Sequence, residues 1–501
     1  MKTLGQILSA PQRSKIDLTT PISGLANDSR EAQAHHAFFV VSGKHTDGAQ
    51  FIEAALARGV AALIVDSQAL FDRFPKTVLI PSTRSALALA ACEWHEHPAS
   101  TMSVVGVTGT NGKTTSTFLL ESIFQKAGFA SGLIGTVEYR LGSQTRESDL
   151  TTPGPLQLQS LLAEMRDQNV THASMEVSSI ALDQCRSDGT EFASILFTNL
   201  TQDHLDYHGS FEEYYKTKRR LFTDYKARTA VINTDDPWGR RLLAEMSLSL
   251  KPITYGLLPT AQITPVSVRY DLQGLRAMVN VLGKEVELTS PLIGQHNLMN
   301  CLGVIGVAVA LDISLTTVLE ALRSATGAPG RLERVFSGPK GPSIFVDYAH
   351  TPDALENVLH SLKELRSRAH SNGRIITVFG CGGDRDRLKR PLMGQAAAQL
   401  SDITVATSDN PRTENPESII DEIEKGMKHL PGRYFRNSKR AEAIALALSL
   451  ASTDDIVLIA GKGHEAYQII GREKLPFDDR KVIRDYYQAP SITHAEPGHI
   501  S

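Results

Sequence analysis

Short apolar runs alternate with longer amphipathic stretches along most of the chain, which is the pattern of α/β layers built on mainly parallel sheets. Near the start, AFFVV (37–41), AALIV (61–65) and TVLIP (77–81) read as strands, followed by a helix over TRSALALAACEWHEH. A second block opens with MSVVGVTG (102–109) and continues through ASMEVSS (173–179), SILFTNL (194–200) and TAVINTDD (229–236). Residues 252–290 read as a meander of short strands, and 296–311 as a buried helix. The Gly- and Pro-rich stretch 326–343 reads as a linker before a last block with SIFVDYAH, RIITVFGCGG, ITVATSDNPR and DIVLIAGKGHE. Domain boundaries are therefore expected near 98 and 335, giving segments 1–97, 98–335 and 336–501.

Composition narrows the class. At 501 residues the chain is too long for one core. With 41% hydrophobic and 21% charged residues it is an ordinary globular sequence. A formal net charge of −3 gives no reason to expect a nucleic-acid partner or an acidic membrane. No apolar run approaches the roughly 18–20 residues that span a bilayer, and the first residues lack a signal-peptide core. Cys92, Cys185, Cys301 and Cys381 lie far apart with no CxxC pair, as expected of reduced thiols in a cytoplasmic protein. The tail after Tyr487 is expected to be disordered or loosely docked.

Almost every unusual polar cluster follows directly on an apolar strand: TGTNGKTT, EVSS, TNLTQDH, DYAHTPD, GCGGDRD, SDNPR and GKGHE. Open α/β sheets bind ligands at the carboxyl ends of their strands. Turn chemistry alone accounts for some clusters, but not for so many carrying charged and imidazole groups.

VVGVTGTNGKTTSTFLLESIF joins a strand, a Gly-rich loop and a helix. Amides of Gly109, Thr110, Asn111 and Gly112 suit a phosphate cradle, with Lys113 reaching the outer phosphates and Thr114 and Thr115 opening the helix. The glycine spacing departs from the standard phosphate loop, but the strand and helix context is right, so ATP is the expected nucleotide. Glu176 ends a strand where a carboxylate can hold Mg²⁺, and His204 sits in the His/Asp-rich TNLTQDHLDYHG. That cluster could also suggest zinc, but no Cys joins it and the phosphate loop favours Mg²⁺. In FEEYYKTKRRLF, Lys218 falls on the apolar stripe of Phe211, Tyr214, Tyr215, Leu221 and Phe222. Burial would lower its pKa and make a nucleophilic amine open to carbamylation; on periodicity alone, a lysine that snorkels outward is the stronger reading.

Taken together, these residues resemble the Mur ligase family. DSR near the start, GTNGKTT, the TTP of DLTTPG, EVSS, TNLTQDHLDYHG, GQHN, GR at 330–331, DYAHTPDALE, GCGGDRD, DNPR and GKGHE run in order through nearly the whole chain. The resemblance implies an α/β fold of three domains: an N-terminal UDP-binding domain, a central phosphate-loop ATPase and a Rossmann-like C-terminal domain. It implies ATP-dependent ligation in cytoplasmic peptidoglycan precursor synthesis. A carboxylate of UDP-MurNAc-L-Ala-D-Glu is phosphorylated, and the amine of an incoming amino acid attacks the acyl phosphate. By position, Lys218 matches a carbamylated lysine, with Thr114, Glu176 and His204 at the metal site. Asn297, Arg331, Asp347 and His350 match nucleotide-holding positions. Asn27, Ser29, Thr151, Thr152, Ser178, Gln184 and Arg186 match the UDP-substrate site, with Lys44, His45 and Thr46 near the uridine. Many relatives read EVSSH where Ile180 stands here. A monomer is expected.

The amino acid is expected to be chosen by the last segment. Relatives that add meso-diaminopimelate carry DNPR, as here, whereas lysine-adding relatives usually lack the arginine. Arg412 can grip a distal carboxylate in bidentate fashion, with Arg385 as a second cation. Asp409 and Glu465 suit the distal ammonium, Asn410 and the Gly461 backbone supply hydrogen bonds, and Pro411 ends the strand. Lysine as substrate, folylpolyglutamate synthesis and a non-catalytic nucleotide-binding regulator are the alternatives.

Overall fold

The protein is described from a computed structural model covering residues 1–9, 11–43, 47–335, 341–368, 372–430 and 432–488. Lys44, His45, Thr46 and the tail beyond Gln488 lie outside the described residues. Internal packing divides the chain into two units: 1–266 with 278–287 and 299–322, and 267–277 with 288–298 and 323–501.

Sheets of five and eleven strands lie wholly or mainly in the first unit, beside the short pair Lys2–Thr3 with Pro21–Ile22. A five-stranded sheet runs in the order Arg13–Ser14, Thr77–Leu79, Ala62–Val65, His36–Phe39 and Gly24–Ala26, parallel except at the Arg13–Ser14 edge. Strand alternation divides its apolar side chains between two layers: Ala37 and Phe39 pack with Leu4 and Leu87, while Phe38 packs with Ile52 and Phe71. The larger sheet is centred on Ser103–Thr108, flanked in parallel by His172–Glu176 and Phe192–Phe197. Glu176 pairs with Val107 and Phe197 with Thr108. This register makes TGTNGKTT, EVSS and TNLTQDH leave the sheet at one edge. The expected meander consists of Lys251–Tyr255, Ile263–Asp271, Gly274–Val281 and Lys284–Ser290, and the expected buried helix of Gln295–Ala310.

The second unit is built on a six-stranded sheet in the order Glu333–Val335, Ser343–Asp347, Ile456–Ala460, Ile375–Cys381, Ile403–Ser408 and Arg433–Asn437. All neighbours are parallel except the first pair. Asp347 pairs with Ala460 and Cys381 with Ser408, so DYAH, GCGGD, SDNPR and GKGHE again share one edge. The stretch expected to be only a linker thus contributes an edge strand, Glu333–Val335. Its pairing partner, Ser343–Asp347, follows a Gly- and Pro-rich stretch of sequence, so local composition hides it.

One ion pair fixes that edge. Arg440 and Asp479 are both fully buried, with Nε and Nη2 of Arg440 donating to the two carboxylate oxygens at 2.7 Å. The same guanidinium reaches the Ala460 carbonyl at 3.1 Å and the Ser408 carbonyl at 3.5 Å, the last residues of the two strands that flank Ile375–Cys381. Removing one partner of such a pair strands a buried charge. Arg440→Met is therefore expected to cost roughly 3–5 kcal/mol, read as a lowered urea midpoint, with the Arg440→Met/Asp479→Leu double variant recovering much of the loss.

Candidate active site

In the first unit, the phosphate loop turns on two glycines. Gly109 (φ +148°) and Gly112 (φ +87°) occupy backbone regions that side chains rarely adopt, and a Cβ on Gly109 would lie 1.9 Å from Thr198 Oγ1. The loop is fastened to TNLT. Thr110 and Asn111 donate their amides to the carbonyl and the side-chain oxygen of Asn199, each at 2.9 Å, and Thr198 Oγ1 donates to the Asn111 carbonyl at 2.6 Å. Lys113 heads the helix Lys113–Lys126 and folds its ammonium over the loop, donating to the Gly109 and Thr110 carbonyls at 2.9 and 2.8 Å.

Lys218 lies on the helix Phe211–Thr223, where Tyr214, Tyr215, Leu221 and Phe222 are buried with it. It does not snorkel: the residue is 2% exposed, and its Nζ donates to the Gly109 carbonyl at 2.9 Å. Burial, reinforced by the Lys113 charge, holds its pKa well below the ordinary lysine range. Tyr214 organises this corner. Its ring lies 4.7 Å from the Lys218 ammonium, its hydroxyl 3.2 Å from Thr110 Oγ1, and its ring centroid 5.0 Å from that of His208 and 6.4 Å from that of His204. Sequence periodicity places Tyr214 only in the apolar stripe.

Glu176 is fully buried and hydrogen-bonded by Thr114 Oγ1 (3.1 Å), the Thr136 amide (2.8 Å) and Thr136 Oγ1 (3.1 Å). Thr136 was not singled out in the sequence, because nothing in GTVEY sets it apart from strand punctuation. The Thr114 hydroxyl and the Glu176 carboxylate form a hard-oxygen pair that suits Mg²⁺. His204 is less enclosed: its side chain is 44% exposed, its Nε2 lies 3.4 Å from Asp203, and its backbone is left-handed at φ +52°. Among the described residues, no three His, Cys, Asp or Glu side chains form a metal-holding group.

Five residues of the expected UDP-substrate site come together beside Glu176. Thr151 Oγ1 lies 3.0 Å from Thr136 Oγ1, and Thr152 Oγ1 donates to the Glu176 carbonyl at 2.9 Å. The Ser178 amide donates back to Thr152 Oγ1 at 3.0 Å. Arg186 reaches the Thr152 carbonyl at 2.8 Å and grips Gln184 Oε1 through Nε and Nη2. Ser29 is buried next to Asp28, which pairs with Arg30, and Asn27 is exposed. Ile180 is half-buried.

In the second unit, Arg331 lies over the Tyr348 ring at 4.9 Å, and the Tyr348 ring is 4.7 Å from His350 and 5.1 Å from His464. Asp347 accepts the Leu332 and Ala349 amides at 2.6 and 2.8 Å, and burial raises its pKa. Asn297 is buried and donates to the Ile293 carbonyl at 2.9 Å.

SDNPR is backed by a hairpin, Tyr467–Ile470 with Glu473–Pro476, which the sequence reading did not identify. Gln468 Nε2 donates to the Asp409 carbonyl, the Ile469 amide to Asn410 Oδ1, and the Arg412 amide to the Ile469 carbonyl. Its two short strands, YQII half-buried and EKLP exposed, carry no apolar alternation to mark them as strands. Arg412 is half-buried with φ +51°, and its Nη1 donates to the Gly383 carbonyl at 2.7 Å. A Cβ on Gly382 would lie 3.0 Å from Arg412 Nη1 and 3.6 Å from Arg385 Cγ, so both arginines border one glycine. Arg385 is exposed. Asp409 and Asn410 are buried, Pro411 is buried at the strand end, and a Cβ on Gly461 would lie 2.7 Å from Asp409 Oδ2.

Asn410 and Glu465 are both engaged with Lys462. The Lys462 ammonium lies 3.0 Å from Glu465 Oε2 and 3.1 Å from Asn410 Oδ1, while Asn410 Nδ2 donates to Glu465 Oε2 at 3.0 Å. Lys462 passes unnoticed in the sequence, because GKGHE offers the lysine no apolar stripe on which its burial would stand out.

The matching family models are the Mur ligase family catalytic domain over residues 21–92, the Mur ligase middle domain over 107–308, and the Mur ligase glutamate ligase domain over 330–463. A Gloeobacter violaceus protein named UDP-N-acetylmuramoyl-L-alanyl-D-glutamate--2,6-diaminopimelate ligase is 43% identical over 467 residues, covering 93% of each chain. A Clostridium tetani protein of the same name is 41% identical over 93% of this chain and 94% of its own. A solved structure of a ligase of that name superposes with a TM-score of 0.72 at 32% identity, over 97% of this chain and 99% of its own.

His464 gives a pH prediction. Burial and the neighbouring Arg331, Arg480 and Lys462 charges push its pKa down to about 4, from 6.5. The folded imidazole stays neutral while the unfolded one protonates, so unfolding takes up a proton between these values. Stability is expected to fall as pH drops from 6.5 towards about 4. His464→Asn should flatten that part of a plot of Tm against pH.

Proposed function

The chain belongs to the Mur ligase family, and on that premise we propose that it joins meso-diaminopimelate to UDP-MurNAc-L-Ala-D-Glu at the expense of ATP, in cytoplasmic peptidoglycan precursor synthesis. The observation that carries the choice of amino acid is the pair of arginines bordering Gly382, on the same sheet edge as the loops that carry Asp409 and Glu465. The names of the relatives at 41–43% identity agree with it.

The chemistry brings anions together. The γ-carboxylate of the substrate's D-glutamate attacks the γ-phosphorus of ATP, forming an acyl phosphate and ADP. The incoming amine then adds to the acyl carbon, and the tetrahedral adduct expels phosphate and leaves an amide. The Thr110 and Asn111 amides are taken by Asn199, so the Gly112 amide and those opening the helix Lys113–Lys126 cradle the phosphates, and Lys113, released from its own loop carbonyls, offsets the charge that builds on them. Thr114 and Glu176, with His204 and a carbamate on Lys218, would hold Mg²⁺, which supplies charge neutralisation. The depressed pKa of Lys218 supports that modification, because a neutral amine is the form that adds CO₂. Thr151, Thr152, Ser178, Gln184 and Arg186 bind the UDP-sugar peptide beside Glu176. By resemblance, Arg331, Asp347, His350 and Asn297 are the nucleotide-holding positions of the second unit. Fixing three reactants together supplies the orientation that the reaction needs.

The far end of diaminopimelate bears a carboxylate and an ammonium, whereas lysine bears only the ammonium. Lysine would leave Arg412 facing no anion, a strong basis for rejection. Folylpolyglutamate synthesis gives no reason for such a zwitterion reader. The direct test is phosphate release with UDP-MurNAc-L-Ala-D-Glu and either diaminopimelate or lysine; release with lysine alone would overturn the assignment. Arg412→Ala is expected to lower kcat/KM for diaminopimelate by roughly 10- to 100-fold, the scale of lost charge-assisted hydrogen bonds. Its KM for ATP should stay near the wild-type value.

A further inference from the structure

Lys462 is a fully buried ammonium beneath the amino-acid loops, set between two left-handed glycines, Gly461 at φ +113° and Gly463 at φ +54°. It touches two residues of the proposed diaminopimelate site at once, Glu465 Oε2 at 3.0 Å and Asn410 Oδ1 at 3.1 Å, with the Tyr467 ring 5.4 Å away. The Asn410 amide is consequently oriented. Its oxygen accepts from Lys462 and the Ile469 amide, so its nitrogen must point to Glu465. The Glu465 carboxylate is held by a single oxygen, and neither Glu465 Oε1 nor Asp409 Oδ2 has a hydrogen-bond partner among the described residues.

Charge makes this arrangement selective. Counting Lys462, the proposed amino-acid site holds three cations, Arg385, Arg412 and Lys462, and two carboxylates, Asp409 and Glu465, with Lys462 paired to Glu465. A side-chain end carrying both carboxylate and ammonium enters without adding net charge, whereas a lone ammonium adds to an existing positive excess. Such an excess costs more in a partly desolvated site than in water. We propose that Lys462 is a positioning and specificity-determining residue for the incoming amino acid: it fixes Glu465 and Asn410 as acceptor and spacer, and it supplies the positive charge that disfavours a ligand lacking the distal carboxylate. This inference rests on the proposed diaminopimelate-adding activity.

The test compares wild type with Lys462→Met, Lys462→Arg and Lys462→Met/Glu465→Gln, measuring phosphate release with UDP-MurNAc-L-Ala-D-Glu and either diaminopimelate or lysine. Lys462→Met is expected to raise KM for diaminopimelate about tenfold, the scale of one lost charge-assisted hydrogen bond, with a smaller change in kcat. The preference for diaminopimelate over lysine should narrow, and Lys462→Arg should restore part of it. The double variant removes one charge of each sign and so keeps the excess of one cation; it remains informative if an unpaired Glu465 impairs folding of the single variant, and it should raise KM for both amino acids while keeping the preference near the wild-type value. An unchanged preference in Lys462→Met, a narrowed preference in the double variant, or an equal loss for both amino acids in Lys462→Met with no recovery by arginine, would overturn the role of Lys462 alone. Wild-type enzyme that releases no phosphate with diaminopimelate would overturn the activity itself, and this inference with it.

Discussion

The burial of basic side chains is the constraint around which both functional edges are organised. A cation removed from water must find acceptors, and the acceptors nearest the strand ends are the carbonyls of the loops that carry chemistry. Lys218, whose burial favours the neutral amine, donates to the carbonyl of Gly109, and the cations proper lie at the second edge. Arg440 closes on Ala460 and Ser408 while pairing with Asp479. Arg390, fully buried, holds the Gly382 carbonyl together with Glu414 and Glu422, and Lys462 holds Asn410 and Glu465. Each loop leaves a rigid parallel strand and is stopped almost at once by a basic group that cannot move away without losing its solvation substitute.

This arrangement explains why the loops can be rich in glycine and still hold a geometry. Gly383 packs so closely on the Pro411 carbonyl that a Cβ would lie 1.9 Å from it. Across the same junction the Gly383 amide donates to the Asn410 carbonyl, Arg412 donates to the Gly383 carbonyl, and Thr413 Oγ1 donates to Asp384. The loops bearing Arg385 and Arg412 are thereby joined into one body, although 27 residues of sequence separate the two arginines.

Much of this was legible in the sequence, for reasons that differ by level. The strands could be read because parallel strands buried on both faces are continuous apolar runs, and IVLIA and ITVATS are such runs. The phosphate loop could be read because its glycines and Lys113 are contiguous. Lys218 was visible because a helical stripe reveals which face a residue occupies. What escaped the sequence depends on residues far apart meeting: Tyr214 against Thr110, Thr136 against Glu176, Arg440 against two strand ends, Lys462 beneath Asn410. The hairpin behind DNPR escaped for another reason, since its strands are largely solvent-facing and show no alternation.

That hairpin carries a consequence for how such an enzyme can change. Tyr467–Ile470 and Glu473–Pro476 stand outside the six-stranded sheet, yet three hydrogen bonds that Gln468 and Ile469 make, with a bridge from Ile470 to Arg412, set the backbone and amide of the residues proposed to read the amino acid. Mutations in this appendage can tilt the reader without disturbing the core beneath it or the phosphate loop in the other unit. Substrate preference is thus an evolvable module, free to drift while the bond-forming chemistry stays under separate selection.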